Sequence, residues 1–262
     1  MLSTYTAAEW LLFFYIYCFI GWCIETTYVS VNTGKFVNRG FIRGPFLPLY
    51  GSGAITILFA TIPFRTNLLF IFLSGGLAAT ILEYITGVFM ELLFKVRYWD
   101  YSDKPFQFQG HICLSSSIAW GLLSIALVKL IHQPIENLVL SMNPTFLLII
   151  VIILSLFIVT DFILSFKTAI DIRFMLEKME KAKSDLAHLH TRIETIYTDF
   201  KPELEEELVT LRNQYTRRKD KQLAQLRQLN FYRRHLLKSH PTAISLHFRE
   251  TFEELKKSVF KK

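Results

Sequence analysis

The chain has 262 residues, of which 52% are hydrophobic and 19% are charged. Its mean hydropathy of +0.32 is too high for an ordinary soluble domain of this length. Basic and acidic side chains are equal in number up to residue 166, so the net charge of +7 belongs to the polar remainder. This composition excludes a simple soluble globular protein and predicts a membrane domain, residues 1–166, followed by a polar tail.

Five apolar stretches have about the length of a membrane span, which requires about 20 residues. They are residues 8–29, 46–63, 68–93, 113–131 and 145–166. Lys and Arg concentrate in the loops after the first and third stretches and in the tail. By the positive-inside rule this pattern predicts an N-terminus outside the cell and a cytoplasmic tail. We therefore expect an all-α, polytopic helix bundle of about five spans with the tail as a cytoplasmic coiled coil.

The cysteines and the N-terminus give mainly negative indications. Cys18, Cys23 and Cys113 form no Cys-x-x-Cys pair, and no Cys/His spacing is typical of a metal site, so we expect neither a metal nor another cofactor. The first residues lack the basic segment of a secretory signal, and we expect the first apolar stretch to be retained. No catalytic triad, metal motif or nucleophile elbow is evident, so we predict no catalytic residue.

Acidic residues within the apolar stretches fall on the predicted cytoplasmic side. Glu25 lies near the end of the first stretch, Glu83 and Glu91 late in the third, and Asp161 late in the fifth. A charge in hydrocarbon costs about 2.5 to 3.5 kcal/mol on insertion scales, so such residues require a partner, water or a ligand.

Cations and predicted helix N-termini occupy the same side, and helix N-termini attract anions. The sequence therefore predicts a binding zone for an anionic or zwitterionic group, such as the phosphate-bearing head of a lipid. Its candidate residues are Glu25, Lys35, Asn38, Arg39, Arg43, Glu83, Glu91, Asp100 and His111. The alternative is that the Arg and Glu side chains pair with one another and fix helix packing, while Tyr98, Trp99 and Tyr101 anchor the interface.

Several short motifs carry a resemblance to a known family. They are Gly21-Trp22-Cys-Ile-Glu25, residues 34–45 with 48–53, Leu82-Glu83-Tyr84-Ile-Thr86 with Glu91, residues 99–102, and residues 110–114 with Trp120-Gly121. In this order and spacing they resemble a bacterial membrane family described as ABC-transporter type IV permeases, over about residues 10–165. The resemblance implies a permease component in the bacterial cytoplasmic membrane that works with a separate ATPase. The family pattern leads us to expect a basic residue, commonly Arg, at the position of His111.

The chain itself has no Gly-x-x-x-x-Gly-Lys-Ser/Thr loop, so it is not expected to power transport alone. The competing interpretation is a non-catalytic membrane scaffold or regulator that acts through its tail. A third, an enzyme acting on lipid head groups, has no supporting motif.

The tail shows the heptad spacing of a coiled coil. The seam comprises Met175, Met179, Ala182, Leu186, Leu189, Ile193, Ile196 and Phe200. Pro202 ends this helix, and Leu204, Leu208, Leu211 and Tyr215 resume the seam out of phase. The short turn at 199–202 favours an antiparallel hairpin over residues 167–240. A parallel coiled coil joining two copies is the alternative. Residues 241–262 are predicted to form a short amphipathic helix that lies on the membrane or caps the hairpin.

Residues 212–238 contain nine Lys or Arg and a single acid. A returning hairpin would bring this block toward the anionic inner leaflet, where each cation adds about 1 kcal/mol of attraction. The predicted lipid-surface residues are Arg217, Arg218, Lys219, Lys221, Arg233 and Arg234. A solvated basic face is the simpler alternative. Nucleic acid is not expected as a partner, because no nucleic-acid motif is present and the bilayer is the nearer polyanion.

Overall fold

A computed structural model describes residues 5–198, 205–227 and 229–260. Within these ranges the chain forms nine α-helices and one two-stranded antiparallel sheet. The helices are α1 (Ala7–Thr33), α2 (Pro48–Thr61), α3 (Leu68–Phe94), α4 (Leu114–Ala126), α5 (His132–Leu140), α6 (Pro144–Thr198), α7 (Glu205–Arg227), α8 (Phe231–Ser239) and α9 (Arg249–Phe260). The strands are β1 (Gln107–Phe108) and β2 (Ile112–Cys113), in which Gln107 faces Cys113.

Four helices are long and apolar enough to cross a membrane, namely Ala7–Thr33, Leu68–Phe94, Leu114–Leu140 and Pro144–Ile196. Where we predicted a second span at residues 46–63, the structure has the shorter apolar helix Pro48–Phe64, which includes a final 3₁₀ turn. The described part of the chain thus has four span-length helices and one shorter apolar helix.

The fourth predicted span, residues 113–131, is in contrast longer in the structure than the sequence predicts. The helix passes through a π turn, Leu127–Ile131, and continues as α5 to Leu140. Pro134, in the first turn of α5, has no N–H for the regular helical hydrogen bond, and a π turn just before it accommodates this loss. The hydropathy pattern instead predicts that this span ends at residue 131.

Local sequence explains several helix ends. Thr6 and Glu9 form a capping box at the start of α1, and the helix ends at Gly34, which has a left-handed φ of 66°. The side chain of Asn67 accepts hydrogen bonds from the first backbone amides of α3.

Small residues allow α1 to α4 to pack closely. Gly51 of α2 lies against Cys18 of α1, where a Cβ atom would collide with the Cys18 sulfur. A Cβ on Gly76 of α3 would lie 3.1 Å from the Cα of Gly121 in α4. Such close approach of helix backbones is typical of membrane bundles, where dispersion contacts drive helix association.

The loop between α1 and α2 enters the bundle instead of remaining at its surface. The backbone amide of Leu47 donates to the carbonyl oxygen of Cys18, in the middle of α1, at 2.9 Å. Helix α2 therefore begins inside the bundle and runs antiparallel to α1, so that Phe59 stacks on Trp10 with 5.1 Å between ring centroids. Irregular backbone at this depth is tolerated only where protein or a water-filled cavity surrounds it.

Helix α6 runs without a break from the apolar stretch into the tail, and α7 packs against it in the opposite direction. Arg192 of α6 pairs with Glu207 of α7 at 2.5 Å, and Asp185 pairs with Arg218 at 3.5 Å. The predicted turn at 199–202 lies outside the described residues.

The C-terminal segment, residues 229–260, folds back onto the end of α3 and the adjoining part of α6. Phe252 and Leu255 of α9 are 1% and 0% exposed and belong to one apolar cluster with Phe94 and Leu176. Ile244 pairs with Arg97, and the two backbones exchange N–H···O bonds of 2.9 and 2.7 Å. The last helix was predicted to lie on the membrane or to cap the hairpin, and in the structure it packs against α3 and α6.

Candidate functional site

The charged candidate residues gather where α1 and α3 end and α2 and α4 begin. We call this the tail side, because α6 leaves its apolar stretch there. At its centre Arg39 donates from Nε to Glu25 Oε1 at 3.3 Å. The Tyr50 hydroxyl donates a hydrogen bond to the other carboxylate oxygen of Glu25 at 3.0 Å. Arg39 is buried and also donates to the carbonyl oxygen of Ser239 at 3.0 Å. Glu25 is thus fully engaged by one cation and one neutral donor.

Glu83 lies deeper in the bundle and has a different environment. Its side chain is buried in α3, with only 5% of the residue exposed. Tyr101 donates to one carboxyl oxygen and Trp120 Nε1 to the other, each at 3.2 Å. Among the described residues, the ion pairs with N···O of at most 4.0 Å involve other acids and do not include Glu83. An intramembrane carboxyl group held only by neutral donors is a functional candidate by default.

Aromatic rings join the Glu25 and Glu83 sites. The rings of Tyr50 and Trp120 lie 5.3 Å apart, so each donates to one of the two acids while contacting the other ring. These two rings also line a mainly apolar cavity of about 50 Å³, together with Tyr17, Gly21 and Ala54.

Arg43 and Asp161 form a second pair, at 3.4 Å between Nε and Oδ1. Asp161 Oδ2 also accepts a 2.6 Å hydrogen bond from the backbone amide of Gly44. The guanidinium of Arg43 lies 4.1 Å from the ring centroid of Tyr232 in α8, a cation–π geometry. This pair therefore holds the irregular loop that precedes α2 against two other parts of the chain, α6 and the C-terminal segment.

A third cluster lies at the end of α3. Arg97 contacts Glu91 at 2.9 Å and Asp100 at 3.2 Å, and His111 Nε2 lies 3.1 Å from the same Glu91 oxygen. Trp99 donates from Nε1 to the carbonyl oxygen of His111 at 2.9 Å. Burial and the positive charge of Arg97 lower the pKa of His111, so this side chain is largely neutral near pH 7.

The remaining candidates from the loop after α1 have contrasting environments. Asn38 accepts from Trp22 Nε1 at 2.6 Å and donates to the carbonyl oxygen of Arg43 at 2.8 Å, so it shapes the loop. Lys35 is exposed and stands apart from these pairs.

Four residues of this site were not predicted from the sequence, because they belong to the C-terminal segment, far from the other residues along the chain. They are Tyr232, His235, Ser239 and His240. His235 Nε2 lies 3.4 Å from Asn38, and the buried His240 ring packs edge-on against Tyr98 at 4.8 Å. Burial, reinforced by Arg39, holds the pKa of His240 well below its ordinary value of 6.5. The local sequence signal for this segment is Asn230, whose side chain caps the N-terminus of the short amphipathic helix α8.

The predicted lipid-surface residues separate into two groups. Arg217, Arg218 and Lys219 are exposed on α7, and Arg218 pairs with Asp185, about 28 Å along α6 from Phe166. Arg233 of α8 instead pairs with Asp171, about 8 Å from Phe166, and Arg234 follows it on the same helix. At physiological ionic strength a Debye length is about 8 Å, so only the second group lies within reach of the end of the apolar stretch. Lys221 belongs to α7, but its side chain lies outside the described set.

The structure therefore brings Arg39, Arg43 and Arg97 together on the tail side, each with its own carboxylate partner. In the described residues the predicted binding zone thus contains three Arg–carboxylate pairs, while Glu83 is more deeply buried.

A family model matches residues 12–166, more than half of the chain, and its description is "Putative ABC-transporter type IV". The chain belongs to this family. The match covers α1 to α5 and the apolar part of α6, so the pairs described above, apart from their C-terminal partners, lie in the family region. No curated protein and no solved structure shows significant similarity to the chain. As a member of an ABC-transporter family with span-length apolar helices, the chain is a membrane protein.

Proposed function

We propose that the protein is the permease component of a transporter, and that the tail side of α1 to α4 forms its ligand-binding zone. The observation that carries this proposal is Glu83, a buried carboxyl group in a membrane helix that only neutral donors contact. Retaining such a group in a span costs free energy, and substrate or ion pathways are where such groups are usually found. No catalytic residue is part of the proposal.

The geometry favours a zwitterionic ligand over a simple anion. Arg39, Arg43 and Arg97 already have acid partners, so an anion would have to compete with Glu25, Asp161 and Glu91. Glu83 lacks a basic partner in the described structure and lies beside Trp120 and Tyr101, whose rings favour a cationic group. A ligand with an ammonium group and an anionic group would match both features.

The short helix α2 supports the same zone. Non-helical backbone leads into it, and it begins beside Cys18 and not at the surface. In transporters, short or interrupted membrane helices with Gly and Pro at their ends commonly mark the binding site. Helix α2 and its final turn have 17 residues, about 26 Å, somewhat less than a hydrocarbon thickness of about 30 Å.

For orientation we propose that the tail side is cytoplasmic. The loops on this side carry Lys35, Arg39, Arg43, Arg97 and Lys104 as well as the whole basic tail, whereas Arg65 and Lys129 are the basic residues near the other ends of the spans. This asymmetry follows the positive-inside rule for a bacterial cytoplasmic membrane. Cysteine labelling from outside the cell at residue 66, with residue 103 protected, is the expected pattern.

Affinity purification of the tagged full-length protein in mild detergent tests the transport role, with co-purifying proteins and lipids identified by mass spectrometry. We expect a stoichiometric ATPase subunit, since the chain has no phosphate-binding loop of its own. The Glu83→Gln protein should retain that subunit, but substrate-stimulated ATPase activity should fall at least tenfold. If no ATPase co-purifies from native membranes, the permease proposal is wrong.

The second candidate is a scaffold or regulator that works through the tail. Its supporting observation is the extension of α6 about 48 Å past Phe166, with α7 paired back along it. The Arg192–Glu207 and Asp185–Arg218 pairs favour a hairpin within one chain over a parallel coil between copies. A scaffold would lose function when residues 180–227 are replaced by a short linker, and would keep it in Glu83→Gln.

A further inference from the structure

A polar groove of about 190 Å³ lies at the C-terminal end of α3, separate from the Glu25 and Glu83 sites. Its polar lining comes from three segments: Glu91 and Lys95 at the end of α3, Gln109 and His111 between β1 and β2, and His247 before α9. Val88 and Leu92 form its apolar wall. The C-terminal segment thus completes the groove, which the family region alone would leave open on one side.

The groove presents one positive and one negative group. Glu91 uses Oε2 for both Arg97 and His111, whereas its Oε1 has no hydrogen-bond partner among the described residues. The ion pairs of the described structure likewise do not include Lys95, so its ammonium group is available. Lys95 ends α3 with a left-handed φ of 56°, which turns the chain and places its side chain at the groove.

His111 forms a fixed part of the groove wall. The residue is only 4% exposed, and its Nδ1 atom is buried without a hydrogen-bond partner. A Cβ on Gly87 would lie 2.8 Å from that nitrogen, so the glycine is what allows the ring to fit beside α3. Nε2 of the same ring contacts Glu91, so His111 is held in the groove wall with its Nδ1 against Gly87 of α3.

The groove continues into a lipid-facing stripe. Leu77, Ile81, Ile85, Phe89 and Leu92 recur at helical spacing along α3 and are each 50–65% exposed. In a membrane helix such an exposed apolar face contacts hydrocarbon. Leu246, beside His247, is also 57% exposed and lies at the same end. A molecule with a polar head in the groove could therefore extend its chains along α3.

We propose that this groove binds the head group of a phospholipid that carries a phosphodiester and a primary ammonium group. The phosphate lies against Lys95 and His247, the ammonium group donates to Glu91 Oε1, and the acyl chains follow the stripe on α3. A purely anionic head group would leave Glu91 Oε1 without a donor. A choline head group has no N–H to donate. The site does not depend on whether the protein is a permease.

The test uses full-length protein in nanodiscs of equal parts dioleoyl phosphatidylethanolamine, phosphatidylglycerol and phosphatidylcholine, released into the gas phase and analysed by native mass spectrometry. We expect one retained phosphatidylethanolamine molecule per chain. Lys95→Asn combined with His247→Gln should lower that occupancy at least tenfold; Asn is chosen because it tolerates a positive φ. The matched control, Lys104→Asn with His188→Gln, removes the same charges from exposed positions and should leave occupancy unchanged.

Two further measurements test whether the charge of Lys95 is what matters and whether the groove binds a lipid or free phosphate. Lys95→Arg should restore phosphatidylethanolamine retention, which distinguishes charge from folding. Inorganic phosphate at 10 mM should not displace the lipid, because it lacks the ammonium group and the chains. The proposal is overturned by equal retention in the double variant and wild type, by phosphatidylglycerol or phosphatidylcholine retained as well as phosphatidylethanolamine, or by displacement with inorganic phosphate.

Discussion

Arg39 donates to the carbonyl oxygen of Ser239 at 3.0 Å, joining residues 200 positions apart. The same guanidinium holds Glu25 in α1. The C-terminal segment is therefore bound to the charged centre of the family region, and its docking and the Glu25 site depend on each other. Four neighbouring contacts, at Tyr232, His235, His240 and Ile244, reinforce this connection.

The first prediction concerns the packing of α9. Phe252→Ala should release the C-terminal segment, because Phe252 is 1% exposed and removing a buried Phe side chain costs about 3–5 kcal/mol. Hydrogen exchange at the Ile244 amide, which donates to Arg97, reports the release. Phe260→Ala is the matched control, since Phe260 is 47% exposed. Equal protection of Ile244 in the two variants would contradict the packing described here.

The second prediction concerns the pair of Arg39 and Glu25. Arg39→Gln should destabilise the protein more than the double variant Arg39→Gln/Glu25→Gln, because the single change leaves a carboxylate with only Tyr50 as donor. The Glu25 side chain is 26% exposed, so the loss should be smaller than the about 3–5 kcal/mol typical of a fully buried pair. A double-mutant cycle on thermal unfolding in detergent should give a coupling of about 0.5–3 kcal/mol. Additive effects would show that the two side chains do not interact.

The third prediction separates function from packing at Glu83. Glu83→Gln preserves size and hydrogen-bonding capacity, so the variant should accumulate in membranes at the wild-type level, as measured by immunoblotting. It should nevertheless fail to complement a deletion strain, because the amide cannot be ionised. Glu136→Gln, near the other end of the bundle, is the control and should complement. Failure of the Gln variant to accumulate would favour a structural role for Glu83.

Hydropathy and charge patterns predicted the helical membrane domain and the positions of its acids and arginines. They did not predict that α2 begins inside the bundle, because hydropathy reports the length of an apolar run and not the depth at which it starts. They did not predict the partner of each arginine, since the Arg43–Asp161 pair depends on how the loop before α2 packs against α6, and the two residues are far apart in the sequence. The Ser239 contact was beyond sequence reasoning, because a backbone carbonyl has no residue-specific signature.

The fourth prediction is a pH dependence of C-terminal docking. In the undocked segment His240 would have its ordinary pKa near 6.5, whereas burial and Arg39 hold the docked pKa well below it. Docking is therefore favoured fully above pH 6.5 and weakens as the pH falls below 6.5, by up to about 1.4 kcal/mol per unit. His235 adds to the effect, because burial and Arg43 lower its pKa also, although Asp161 opposes the shift.

Protection of the Ile244 amide, corrected for intrinsic exchange, measures this effect between pH 7.5 and about 5. Wild-type protection should decrease across that range, and His240→Phe, which keeps a ring against Tyr98, should reduce the slope. His188→Gln, an exposed position on α6, should leave it unchanged. A flat wild-type profile would exclude the proposed linkage.

The fifth prediction tests the hairpin of α6 and α7. The pairs Arg192–Glu207 and Asp185–Arg218 place Leu189 opposite Leu211, and Leu211 is 6% exposed. Cysteines at 189 and 211, in a background where Cys18, Cys23 and Cys113 are replaced by Ser or Ala, should therefore crosslink within one chain. Mixing tagged and untagged chains distinguishes intramolecular from intermolecular links on a gel. Cysteines at 188 and 213, both exposed, provide the control pair and should crosslink poorly. Purely intermolecular links at 189 and 211 would instead establish a coil between two copies, and the basic face of α7 would then belong to a dimer.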